Sequence, residues 1–210
     1  MIATHDSYTY QKPKNIFMNL IKIFWKCQKV DIDKQYELGT RIFDVRVASY
    51  KDKKDNNKIK WQTAHGMAKF RIKFDTIESI CELFYNKYPG SVLRIYLEDS
   101  KVVPEIREEY KRQCDEAFTK YKDMLWDMGT HHPWVSSHYN KHYDIKEYYC
   151  HLFNWNTDRD IKYNLKNFDW TSWSLPYYAK KHNPVITKEM IEDPKTMYIL
   201  DYIGVYPKRL

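Results

Sequence analysis

Gly39-Thr40-Arg41-Ile42-Phe43-Asp44-Val45-Arg46-Val47 is a glycine followed by a run rich in β-branched and aromatic residues, the composition of a buried strand. Asp44 and Arg46 are separated by one residue, so an extended chain projects both from one face. A carboxylate and a guanidinium inside an apolar strand are costly to desolvate, which makes this strand a candidate for function as well as for core.

Further elements lie on either side of it. Residues 15–25 place Ile16, Phe17, Leu20, Ile21, Phe24 and Trp25 at helical spacing. The stripe suits a helix docked on the core or one lying in a membrane interface, where Phe, Trp and Lys are favoured. Lys51 to Lys58 is a solvated turn, with Ile59 to Ala64 returning as a strand. Asp75 and Glu78 open a helix with a capping-box-like start that Pro89-Gly90 ends. Val92 to Leu97 is another strand, running into Glu98, and Pro104 begins a long helix whose buried face extends to Leu125. Residues 148–155 and 197–202 complete the expected strands. Strands alternating with helices imply α/β layering, as a closed barrel or an open sheet.

The chain has 210 residues, enough for a single domain over 1–210 with a proper core. Its 43% hydrophobic content argues against disorder. Lys and Arg total 35 against 28 Asp and Glu, a net charge of +7 that favours an anionic partner. The basic residues are dispersed rather than clustered, which weighs against nucleic acid. Four cysteines without a CxxC pair point to a reducing compartment, not to a zinc ribbon or disulfide framework. No secretory leader and no 18-residue apolar run occurs, so the expectation is a cytoplasmic chain that meets membranes peripherally and is a monomer.

Three polar clusters stand at expected strand ends: Thr4-His5-Asp6-Ser7, Asp44-Val45-Arg46 and His65-Gly66. In parallel α/β folds the ligand site collects at the carboxyl ends of strands. A lone His beside Asp is most often a structural hydrogen-bonded pair; three such clusters in order carry more weight.

With Gln28, Asp31-Ile32, Gln35, Trp173-Ser-Leu-Pro-Tyr-Tyr178, His182-Asn-Pro184 and Ile199-Leu-Asp-Tyr-Ile203, these clusters resemble the X domain of phosphatidylinositol-specific phospholipases C. The similarity is greatest to the compact, metal-independent bacterial type, and residues 100–170 match poorly. The resemblance implies a TIM-barrel-like fold, small and irregular or incomplete. It implies cleavage of phosphatidylinositol-type lipids at a membrane surface, giving diacylglycerol and inositol 1,2-cyclic phosphate. His5 matches the general base and Asp201 the carboxylate that orients it. Arg46 matches the guanidinium on a phosphoryl oxygen, and His65, paired with Asp6, the general acid. Asp44 and Glu98 fall in the substrate pocket, and Asp160 and Tyr163 match an Asp/Tyr pair that contacts the headgroup. Phe24 and Trp25 resemble an interfacial helix.

No cofactor is expected, because Arg46 puts a fixed positive charge where animal-type relatives hold calcium. Calcium held by Asp6, Asp44 and Glu98 is the alternative. Two other functions compete: a catalytically weak lipid-binding module of the same fold, and a phosphodiesterase for another phospholipid headgroup.

Overall fold

A computed structural model describes residues 1–22, 25–52, 58–98, 103–129, 144–148 and 174–204, with only the backbone described at 126–129 and 148. Phe24, Asp160 and Tyr163 lie outside these residues, as do positions 149–155 of the expected strand. Eight strands form one sheet: β1 (Ile2–Thr4), β2 (Thr40–Lys51), β3 (Ile59–His65), β4 (Ala68–Phe74), β5 (Val92–Leu97), β6 (Leu125–Gly129), β7 (Asp144–Tyr148) and β8 (Thr196–Leu200).

The parallel path runs β7-β8-β1-β2-β5-β6. The carboxyl half of β2 leaves β1 and pairs antiparallel with β3, which pairs antiparallel with β4. Among the described residues β6 and β7 are not paired, so the architecture is an incomplete, irregular TIM-barrel-like sheet.

Among the described residues six helices accompany it: α1 (Ile16–Leu20), α2 (Ile32–Glu37), α3 (Ile77–Lys87), α4 (Pro104–Tyr121), α5 (Leu175–His182) and α6 (Lys188–Glu192). Alternation along β2 sorts its side chains. Phe43, Val45 and Val47 face outward into the core made with Ile77, Ile80 and Phe84 of α3 and Tyr110, Cys114 and Ala117 of α4. Burying these side chains contributes about 1.5–3 kcal/mol apiece for the larger ones.

Inward-facing residues change character along the strands. Ala3, Ile42, Val92, Met197 and Ile199 form an apolar floor. Two residues further along each strand, the same face presents His5, Asp44, Arg94 and Asp201, all buried. One more step places Arg46 after Asp44 and Tyr96 after Arg94. The floor therefore supports a layer of charges at the carboxyl ends.

Local differences from the sequence-based expectation have physical causes. The α3 cap is Thr76 with Ser79, a reciprocal capping box, rather than Asp75 with Glu78. Helix α4 stops at Tyr121, and Leu125 opens β6 beside Leu93. The helix expected over 15–25 ends at Leu20, and Trp25 is not an interface residue. Its ring packs on Phe70 at 5.4 Å between centroids, its indole N–H donates to the Met18 carbonyl at 2.6 Å, and it is 5% exposed.

Candidate active site

The site is built on β1, β2, β3, β5 and β8. His5 follows β1 and donates from Nδ1 to Asp201 Oδ1 at 2.8 Å; Asp201 follows β8. Gln28 fixes the backbone of both strands, its Nε2 donating to the carbonyls of His5 and Leu200, each at 2.9 Å. His5 Nε2 lies 2.8 Å from a terminal nitrogen of Arg46. A guanidinium only donates, so that imidazole nitrogen accepts, and the Nδ1 proton is the one shared with Asp201. This is the neutral tautomer with its basic nitrogen turned toward the pocket.

Arg46 is the hub. Its Nε lies 2.6 Å from Asp6 Oδ1 and 3.0 Å from Asp44 Oδ2, and NH1 lies 3.3 Å from Glu98 Oε2. Burial opposes its charge, but Asp44, Asp6 and Glu98 outweigh that and hold its pKa well above the usual value. Asp44 is tied from the other side by Arg94 NH1 at 2.7 Å. Burial pushes the Asp44 carboxyl up, yet Arg46 and Arg94 more than offset it and hold the group below its ordinary range.

Asp6 adopts φ +47°, a left-handed conformation that Asp tolerates better than most residues. That turn brings its backbone N–H to Asp44 Oδ2 at 3.1 Å and its carboxylate under Arg46. Burial raises the Asp6 pKa to about 6, against the opposing pull of Arg46 and His65.

His65, at the end of β3, sits 3.2 Å from Asp6 Oδ2 through Nε2 and 2.6 Å from the Trp25 carbonyl through Nδ1. A carbonyl only accepts, so Nδ1 carries a proton. Nε2 is thereby turned toward the Asp6 carboxyl. Glu98 completes the rim, accepting the Gly66 N–H at 2.6 Å.

The fold thus brings together His5, Asp6, Asp44, Arg46, His65, Glu98 and Asp201. Trp25 approaches through its carbonyl alone. Two contributors are absent from the sequence-based set: Arg94, the second partner of Asp44, and Cys27, whose thiol is buried 3.5 Å from Asp6 Oδ2. The Arg94-x-Tyr96-x-Glu98 alternation is the signal for the first; no local pattern marks the second. Metal-ligand atoms cluster here in several sets, including His5, Asp6 and Asp44, and Asp6, Cys27 and His65.

Chemically, the arrangement offers an imidazole backed by a carboxylate, a guanidinium for an anion, and a second imidazole, His65, beside the Asp6 carboxyl. No protein-family model and no curated protein matches the chain. Solved structures do. A mutant of the phosphatidylinositol-specific phospholipase C from Staphylococcus aureus superimposes with a TM-score of 0.56 at 17% identity, over 97% of this chain and 86% of that one. The fold is that of a bacterial phosphatidylinositol-specific phospholipase C. A double mutant of the same enzyme gives 0.56 at 18% identity over 97% and 85%. A structure concerned with modulation of that enzyme's membrane binding gives 0.54 at 16% over 97% and 86%. On this phospholipase C fold, the site described above occupies the carboxyl ends of the strands, where barrel enzymes place their chemistry.

Proposed function

We propose that the chain is a metal-independent phospholipase C that cleaves phosphatidylinositol-type lipids at a membrane surface. The carrying observation is the His5 imidazole held between Asp201 at 2.8 Å and Arg46 at 2.8 Å.

In the proposed reaction, His5 Nε2 takes the proton of the inositol 2-hydroxyl, whose oxygen attacks phosphorus. Arg46 moves from the imidazole to a non-bridging phosphoryl oxygen, where a planar fork is matched to the geometry. A proton carried by His65, paired with Asp6, passes to the glycerol oxygen as its bond to phosphorus breaks. The products are diacylglycerol and inositol 1,2-cyclic phosphate. Asp201 keeps the imidazole in its reactive tautomer and stabilises it once protonated.

Metal independence is supported by occupancy: Asp6, Asp44 and Glu98, the three carboxylates calcium would use, all contact the Arg46 guanidinium. Membrane contact is supported by apolar side chains beside the site. Ile16, Phe17 and Leu20 on α1 are 60–80% exposed, and Met67, two residues past His65, is 82% exposed. Among the described residues no helix is long and apolar enough to cross a membrane.

Incubating the purified chain with phosphatidylinositol vesicles in excess chelator tests this. Cyclic inositol phosphate and diacylglycerol are expected; their absence both with chelator and with added calcium removes the proposal.

A further inference from the structure

We propose that Asp6, Cys27 and His65 form a binding site for a soft divalent cation of the zinc class, and that filling it switches the site off. Cys27 has no part in the reaction above, yet its thiol points into it. Sγ lies 3.5 Å from Asp6 Oδ2 and 3.9 Å from His65 Nδ1, and His65 Nε2 lies 3.2 Å from the same Oδ2. Tetrahedral zinc, with Zn–S about 2.3 Å and Zn–N and Zn–O about 2.0–2.1 Å, separates sulfur from oxygen by about 3.5 Å and nitrogen from oxygen by about 3.3 Å. Sγ and Nε2 already stand near those separations from Asp6 Oδ2, and one ligand atom from each of the three residues lies within 4.8 Å of the others.

The surroundings suit a metal as well. His65 Nδ1 donates to the Trp25 carbonyl, which orients Nε2 as ligands of zinc are commonly oriented. Arg46 engages Oδ1 of Asp6, so the oxygen facing Cys27 and His65 is the other one, Oδ2. One thiol, one imidazole and one carboxylate select a soft cation over calcium, which takes six to eight oxygens. The His65 side chain is 20% exposed, which leaves an entry path from solvent.

Binding is a proton exchange. The cation displaces the thiol proton of Cys27, forming a metal–thiolate bond, and bonds to His65 Nε2 and Asp6 Oδ2, where a proton can then no longer be held. Burial keeps the unloaded thiol protonated, with Asp201 and Asp6 acting in the same direction, so Cys27 is inert until a cation arrives. A proton at that pair is what the leaving glycerol oxygen needs, a consequence that rests on the function proposed above; the binding itself does not.

Titrating the full chain with cobalt(II) or cadmium(II) in chelator-free buffer reads the site directly, through thiolate-to-metal charge-transfer absorption. The band is expected at one equivalent, competed away by zinc, lost in Cys27→Ser, and retained in Cys81→Ser and Cys114→Ser, which alter the two other described thiols, both free and buried. His65→Ala keeps the thiol and is expected to weaken binding at least about tenfold. It serves as the second variant if Cys27→Ser does not fold. No band, a band surviving Cys27→Ser, or binding unchanged in His65→Ala overturns the site. In parallel, zinc should suppress vesicle cleavage by the unaltered chain, and Cys27→Ser should need at least about tenfold more, each referred to its own metal-free rate. Cobalt binding at Cys27 in a chain that never cleaves phosphatidylinositol would end the phospholipase proposal and leave the site standing. Cleavage without the band would do the reverse.

Discussion

At the carboxyl ends of β1, β2, β3 and β8, buried charges converge on Arg46 within hydrogen-bond distance; at the amino ends of β5 and β6 lies an open cavity of about 620 Å³. What lines the cavity is ordinary: Tyr85, Tyr88 and Tyr121 from helix ends, Ser91 and Met124 just before the two strands, and Lys120 paired outward with Glu78. The carboxyl end is instead crossed by ion pairs centred on Arg46. Converging charge rather than open space marks the candidate site, whose buried charges satisfy one another internally.

The sharpest way to break that contrast is His5→Ala, expected to lower kcat about 10²–10⁴-fold on phosphatidylinositol with an unchanged far-UV spectrum. Arg46→Lys comes next, about 10²–10³-fold in kcat, since a point charge cannot reproduce the fork at the phosphoryl oxygen. Trp25→Ala should cost about 3–5 kcal/mol in urea unfolding. It should reduce turnover of vesicles and of a soluble cyclic phosphate in equal proportion, as a core residue does. Phe17→Ser on the exposed face of α1 is expected to do the opposite, weakening vesicle cleavage about tenfold and sparing the soluble substrate.

A smaller effect separates the two ends by pH. The Asp6 carboxyl is raised from 3.8 to about 6 in the folded chain, so between these values the native state holds a proton that the unfolded state has released. Stability should therefore fall as pH rises through that window, and the fall should be shallower in Asp6→Asn when urea midpoints are compared. At the other end, Ser91→Ala in the cavity should change kcat less than about twofold. A larger loss would mean that the empty end matters to the reaction.

Much of the site is legible in the sequence because a strand's period of two is unambiguous: once Thr40–Lys51 is a strand, Asp44 and Arg46 must share a face. The same rule covers Arg94, Tyr96 and Glu98, but Arg94 sits in an apolar run with no second charge until Glu98, and its value emerges only when Asp44 is found opposite it. Strand β4, absent from the expected elements, alternates as plainly as any: Ala68, Phe70 and Phe74 are buried, with Lys69, Arg71 and Lys73 between them. Trp25 fails for a different reason. Helical spacing says which residues share a stripe, not where the helix ends, and here the end at Leu20 decides which way the indole faces. The pairing of Cys27 with Asp6 and His65 joins three separate segments and has no periodic trace at all.

His5 and Asp201 are 196 residues apart in sequence and 2.8 Å apart in space, and the Gln28 side chain spans the same seam, bonding His5 and Leu200 and accepting the Ile203 N–H at 3.2 Å. During synthesis the first strand emerges long before the last, so every shorter nascent chain carries His5 without Asp201. The candidate site is thus incomplete until translation has passed residue 201 and β8 has closed against β1.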